Sequence, residues 1–198
     1  MFQPPFLRRD LPTLKGERVI LRMPAHSDFR QWAFLREESR DFLVPWEPAW
    51  STDELSRHAY RQRLRRYREE YDRGSGLTFF IFLRESEILV GGLSLSNIRR
   101  GVAQAATVGY WMGAPHAGKG LMLDALKLVI PFAFGQLSLH RLEAACIPEN
   151  QRSVRLLEKA GFRREGLARS YLKINGAWQD HVLYALIAGE HQMEPGRG

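Results

Sequence analysis

Two hydrophobic periods alternate along the chain, one of two residues and one of three to four. RVILRM (18–23) alternates as a strand does, and HSDFRQWAFLREES (26–39) has helical spacing, with Asp28 or Ser27 placed to cap it. DFLVPWEP (41–48) holds two prolines and predicts a loop. A long helix is expected over Thr52–Arg73, docked through Leu55, Tyr60, Leu64, Tyr67 and Tyr71 and stopped at Gly74-Ser-Gly76. LTFFIFL (77–83) and EILVGGLSLSNI (87–98) read as a hairpin around a polar RES, and AATVGYWM (105–112) as a third strand. GAPHAGKG (113–120) then leads into LMLDALKLVIPFAF, whose positions 121, 122, 125, 126, 129 and 130 share one helix face, with Pro131 kinking it or marking its last turns. HRLEAACI (140–147) predicts a short buried strand, and 150–160 a helix stopped by Gly161. FRREGLARSYLKI and AWQDHVLYALI close the chain as a hairpin around Asn175-Gly176. The order β-α-α-β-β-β-loop-α-β-α-β-β predicts one α/β domain over 1–198 with a mostly antiparallel sheet. Its core is expected at about 15–188, with tails 1–14 and 189–198 loosely attached.

Composition narrows the class. At 198 residues with 44% hydrophobic and 26% charged residues, the chain suits one soluble domain. No 18-residue apolar run exists, because Asp124 and Lys127 interrupt the best window, so no membrane span is expected. MFQPPFLRRD lacks the order of a secretory signal, and the single cysteine, Cys146, cannot form an internal disulfide. Together these predict a cytoplasmic protein. A net charge of +7 favours an anionic partner. The excess is densest at Arg57, Arg61, Arg63, Arg65, Arg66 and Arg68, which offer either a ribosome or RNA contact over 57–68 or a solvated helix face tempered by Glu69, Glu70 and Asp72.

GAPHAGKG nearly matches a nucleotide-triphosphate loop, but Gly120 stands where such a loop needs the hydroxyl that binds Mg²⁺. No apolar strand ending in Asp follows to hold a metal. A strand, a small-residue turn and a helix start can still present unpaired N–H groups and a helix dipole to a diphosphate without a metal. Gly118 and Gly120 would let the backbone come close. A turn that merely starts a helix is the simpler alternative.

Taken with NQRSVRLLEKAGF (150–162), this loop resembles that of the GNAT acetyltransferases. FLVPWEP (42–48), GKGLMLDAL (118–126), HRLEA (140–144), NQRSVRLLEKAGFRREG (150–166) and SYLKINGAWQDHVLYAL (170–186) narrow the likeness to the RimJ/RimL branch, RimJ above all, over about 18–187. The resemblance implies a GNAT fold: a mixed, mostly antiparallel sheet of six to seven strands flanked by about four helices. It implies acetyl-CoA as co-substrate, no metal, and acetylation of the N-terminal α-amine of a ribosomal protein, alanine first, by direct transfer in a ternary complex. Either a monomer or a dimer fits. Cofactor contacts are expected at Trp111, Met112, Ala117, Gly118, Lys119, Gly120, Leu121, Met122, Asn150 and Ser153. Ala117 departs from the family's usual Gln or Arg, and Met122 from its small residue. The tyrosine often found in the later helix is Leu157 here. Ser153 is the expected proton donor to the thiolate, Glu47 the candidate base, and Tyr171 an orienting group. Phe42 and Trp46 are expected to wall the acceptor site. Glu143 is a rival base or a strand-end ion pair, and Cys146 offers a ping-pong route opposed by its apolar strand. Two other readings remain: a small-amine or antibiotic acetyltransferase on the same fold, and a ribosome- or RNA-binding factor using the basic helix.

Overall fold

A computed structural model describes residues 11–191. Thr13–Lys15 (β1) and Val19–Arg22 (β2) pair antiparallel; a 3-10 turn at His26–Asp28 then leads into Phe29–Glu38 (α1) and Arg40–Leu43 (α2). A second 3-10 turn, Val44–Trp46, precedes the basic helix Arg57–Asp72 (α3). Leu77–Leu83 (β3), Leu89–Arg99 (β4) and Ala105–Met112 (β5) form a meander, and a turn at Ala114–His116 leads into Leu121–Gly135 (α4). Arg141–Cys146 (β6), Gln151–Lys159 (α5), Arg163–Ile174 (β7), Ala177–Ile187 (β8) and Ala188–His191 (α6) complete the described chain.

The eight strands form one sheet in the order β1-β2-β3-β4-β5-β6-β8-β7, with β5 and β6 the parallel pair. β3 is apolar but for Thr78 because both its faces are covered. On one face, Leu93, Leu95, Ala106 and Val108 of the sheet pack against Leu121, Ala125, Leu126 and Val129 of α4 and Leu157 of α5. On the other, Trp32 and Leu35 of α1 and Tyr60 of α3 pack on Phe80, Phe82 and Leu89. These two layers clamp the sheet and fix the strand ends between which the site opens.

Several expectations change in detail. The sheet has eight strands rather than six to seven, and the helices number six among the described residues, two of them only four residues long. β1 was hidden in the expected tail: three residues carry too little pattern to signal a strand, yet Leu14 pairs with Leu21. Residues 1–10 and 192–198 of the expected tails lie outside the described residues. The expected loop at 41–48 holds the end of α2 and a 3-10 turn, where Pro45 sits at the start and its missing N–H costs nothing. α3 begins at Arg57, capped by Ser56, whose Oγ accepts from Ala59 N at 3.0 Å. Asp28 does not cap α1. Its buried carboxylate accepts from Ala25 N at 2.8 Å and from both terminal nitrogens of Arg22 at 2.8 and 2.6 Å. α4 continues past Pro131 to Gly135. At the closing hairpin, Asn175 and Gly176 take φ of 44° and 83°, the left-handed pair that a tight primed turn demands.

Candidate functional site

β5 and β6 pair only over Ala105–Thr107 and Arg141–Glu143, and beyond that they part. Between the parted strands lies a cavity of about 610 Å³, walled by Val108–Met112 on one side and Ala144–Ile147 on the other. Gly113 N donates to Val90 O at 2.9 Å, so its bond runs to β4. By the two-residue alternation of an antiparallel ladder, the N–H groups of Tyr110 and Met112 then face away from β4, into the gap. A strand edge with open donors can pair an extended ligand and polarise a carbonyl laid against it.

At its far end the cavity meets Ala117, Gly118 and Gly120 and the first turn of α4 at Leu121 and Met122. Gly118 and Gly120 have φ of 75° and 80°, a backbone that a side chain would strain, and Gly120 is the residue that starts α4. The unpaired N–H groups of that first turn and the positive end of the dipole therefore point at cavity space. Arg18, far away in sequence, braces the loop. Its guanidinium pairs with Asp124 at 2.6 Å and donates to Lys119 O at 3.2 Å. The Lys119 side chain is exposed and lies outside the cavity lining. Burial, and next Lys119, push the pKa of His116 below its usual value, so the ring is neutral at neutral pH. Cationic reach along the cavity comes instead from Arg152, Arg155 and Lys159 of α5, where Arg155 and Lys159 are one turn apart.

Asn150 and Ser153 stand at the start of α5, where Asn150 Oδ1 accepts from Ser153 N at 3.1 Å. The Ser153 hydroxyl is 2.7 Å from the hydroxyl of Tyr110 on β5. Burial pushes the Cys146 thiol above its usual pKa, with Ser153 opposing, so little thiolate is present at neutral pH. That opposes a ping-pong route through Cys146, which itself lines the cavity.

Glu47 is held harder than its loop position suggested. Arg36 donates to Oε1 at 3.1 Å and to Oε2 at 2.6 Å, and Trp50 Nε1 donates to Oε2 at 2.9 Å. The Arg36 guanidinium is itself flanked by the Trp50 ring at 4.4 Å and the Trp111 ring at 5.0 Å. A carboxylate offers about four lone-pair positions. Oε2 is filled, and Oε1 keeps one open. Asn175 N, at the tip of the β7–β8 hairpin, donates to Glu47 O at 2.9 Å and ties that hairpin to the same loop. Phe42, Trp46 and Glu47 all line the cavity, and Arg152 lies over the Phe42 ring at 4.9 Å.

A second cavity of about 510 Å³ is lined by Tyr67 and Glu70 of α3 and Thr78, Ser94 and Ser96 of the sheet. It shares Glu47, Gly109, Tyr110 and Trp111 with the first, so the two meet at the forked strand. Gly92 leaves room for the Trp111 ring at this junction, because a Cβ there would stand 2.4 Å from Trp111 Nε1.

Of the residues singled out from the sequence, Trp111, Met112, Ala117, Gly118, Gly120, Leu121, Met122, Asn150, Ser153, Phe42, Trp46 and Glu47 converge on the cavity. Tyr171 does not. It is 49% exposed on the edge strand β7 and meets the lining residue His181 edge-on at 5.8 Å. Glu143 is an ion-pair partner of Arg99 and Arg141. Tyr110, Arg36 and Arg18 were missed, since each acts through a partner distant in sequence. Among the described residues, no cluster of His, Cys, Asp or Glu could hold a metal, and no helix is long and apolar enough to cross a membrane.

Comparison with known proteins agrees with this geometry. The family model "Acetyltransferase (GNAT) domain" matches residues 18–163. The chain is 38% identical over 174 residues to "Probable N-acetyltransferase YjcK" of Bacillus subtilis, covering 88% of this chain and 96% of that protein. It is 35% identical over 184 residues to the [ribosomal protein uS5]-alanine N-acetyltransferase of Escherichia coli, covering 93% and 94%. The structure of Mycobacterium smegmatis RimJ in complex with CoA-disulfide superposes with a TM-score of 0.83 at 34% identity, over 91% of this chain and 88% of that one. A forked sheet, a glycine loop and relatives along nearly the whole length point the same way: the chain is an N-acetyltransferase and belongs to the GNAT family.

Proposed function

We propose that the chain transfers the acetyl group of acetyl-CoA to the N-terminal α-amine of a ribosomal protein, alanine first, by direct attack within a ternary complex. The observation that carries this reading is the fork between β5 and β6, whose open donors run on to the Gly118–Gly120 turn. Pantetheine would pair along Tyr110–Met112, the thioester oxygen would accept from the Met112 N–H, and the diphosphate would lie on the loop and the first turn of α4. Asn150 would bond pantetheine while capping α5.

The acceptor approaches at the junction of the two cavities, between Phe42, Trp46 and Glu47. An α-amine has a reference pKa of about 7.7–8.0, so a good share is neutral at pH 7.5 and strong base catalysis is not needed. Glu47, with one open position on Oε1, receives the amine proton directly or through a water. Ser153 gives a proton to the departing thiolate at the positive end of α5. Tyr171 lies outside the cavity lining, against His181, and is assigned no step. Relatives named as ribosomal-protein-alanine acetyltransferases support the substrate class.

The test follows thiol release from acetyl-CoA with peptides beginning Ala, Ser or Leu, beside N-blocked versions and a panel of polyamines and aminoglycosides. Release that requires a free N-terminal Ala supports the proposal. Release with the small amines alone assigns the chain a small-molecule acceptor instead.

A further inference from the structure

We infer that Tyr110 is a positioning residue for the leaving thiolate: its phenol donates to Ser153 Oγ and so aims the Ser153 hydrogen at the sulfur. This inference rests on the acetyl-transfer reading above. The two hydroxyls are 2.7 Å apart, from elements 43 residues apart in sequence, and both side chains line the cavity between the parted strands.

A serine hydroxyl has one hydrogen and two lone pairs. Were Ser153 to donate to Tyr110, its hydrogen would be committed there and nothing would be left for the thiolate. The opposite direction is favoured because a phenol is the more acidic donor and the poorer acceptor, its oxygen being conjugated with the ring. Burial pushes the Tyr110 phenol above its usual pKa against the opposing bond from Ser153, so the donor hydrogen stays in place through the working pH range. Ser153 is also fixed at its backbone by Asn150 Oδ1, which leaves the orientation of its side chain to be set. The contact with Tyr110 sets it.

The family's usual tyrosine is absent from α5, where Leu157 is fully buried in the core.

The proton count closes. The amine nitrogen attacks the thioester carbon, the C–N bond forms and the C–S bond breaks. The nitrogen gives up one proton to Glu47 or water. The sulfur gains one from Ser153, and Ser153 regains one from water in the cavity. Tyr110 keeps its own hydrogen throughout, strengthening its bond to Ser153 as that oxygen becomes more negative.

Two measurements decide. The first is a double-mutant cycle of Tyr110→Phe and Ser153→Ala on kcat for N-terminal peptide acetylation. Phe keeps the ring and removes the hydroxyl. We expect Tyr110→Phe to lower kcat roughly tenfold, Ser153→Ala by more, and the double variant no further than Ser153→Ala alone. Effects that multiply, or a Tyr110→Phe kcat within about twofold of wild type, overturn the inference.

The second needs no acceptor. It compares the affinities of CoA and desulfo-CoA by calorimetry from mildly acidic to mildly alkaline pH. In the wild type the preference for CoA grows as the thiol ionises, and both Tyr110→Phe and Ser153→Ala flatten that growth. A Tyr110→Phe variant that keeps it contradicts the inference. Should no N-terminal peptide be acetylated by the wild type, the substrate proposal falls, while this comparison still decides the role of Tyr110.

Discussion

At residue scale, Glu47 illustrates how partners decide what a carboxylate can do. With Arg36 across both oxygens and Trp50 on one, a single acceptor position on Oε1 is left for substrate or water. Glu47→Gln keeps the shape but replaces an acceptor oxygen by a donor facing Arg36. It should lower kcat/KM for the peptide by about 10- to 100-fold, with the KM for acetyl-CoA little changed. It should also cost about 1–3 kcal/mol in urea unfolding, because the Arg36 guanidinium, only 7% exposed, loses its counter-charge. Equal peptide kinetics in the variant would remove Glu47 from the chemistry. Tyr110 has a consequence for stability as well. Its folded pKa lies above the unfolded reference of about 10, so the folded state holds the proton more tightly. The stabilisation is complete below that reference and is lost progressively as pH rises from there through the folded pKa. Denaturant melts above about pH 10 should therefore show Tyr110→Phe losing less stability with pH than the wild type; parallel losses would count against the shift.

At element scale, much of the site is legible in the sequence. β5 matches its expected limits of 105–112 because Gln104 and Gly113 bound a run rich in β-formers, and the start of α4 is marked by Gly120. What stays hidden depends on chain returns that no local period encodes. Arg36 meets Glu47 across a turn of the chain, Arg18 meets Asp124 from 106 residues away, and Tyr110 meets Ser153 only once β5 and α5 face each other. The fork itself is a property of two strands, β5 and β6, and neither announces it alone. Tyr171 shows the converse. Its motif resembles a substrate contact, yet β7 is the outermost strand and that ring, 49% exposed, reaches the cavity only through its contact with His181. The Gly118–Gly120 turn supplies the clearest test at this scale. Gly120→Ala puts a Cβ at φ 80° and within 3.1 Å of the Arg18 guanidinium. The strained backbone should cost about 1–2 kcal/mol of stability. Calorimetry should show CoA affinity falling by about tenfold, equivalent to about 1.4 kcal/mol. An unchanged affinity would show that the loop does not hold the diphosphate.

At the scale of the whole molecule, the net charge of +7 is concentrated most densely on α3. Folding pairs much of that charge locally. Arg63 pairs with Glu54, Arg66 with Glu70 and Arg68 with Asp72, while Arg57 lies over Phe29. Arg57, Arg61 and Arg65 have no ion pair among the described residues, a small footprint for phosphate-backbone binding. The cavity is the better candidate for the anionic partner. CoA at 100 times its dissociation constant should add about 2.7 kcal/mol, seen as a rise in melting temperature of roughly 5–10 °C for a chain of this size. An RNA oligomer at matched phosphate concentration and physiological salt should leave the melt unmoved. The reverse pattern would favour the RNA-binding reading.

The most direct test of acetyl transfer to an α-amine is mass spectrometry on one competition mixture. It would contain the enzyme, acetyl-CoA with an isotope-labelled acetyl group, a peptide with a free N-terminal Ala and an internal Lys, its N-blocked counterpart and an aminoglycoside. The account predicts one labelled acetyl group on the α-nitrogen of the free peptide, with the lysine, the blocked peptide and the aminoglycoside unlabelled. Label on the lysine or the aminoglycoside, with none on the α-nitrogen, would contradict it.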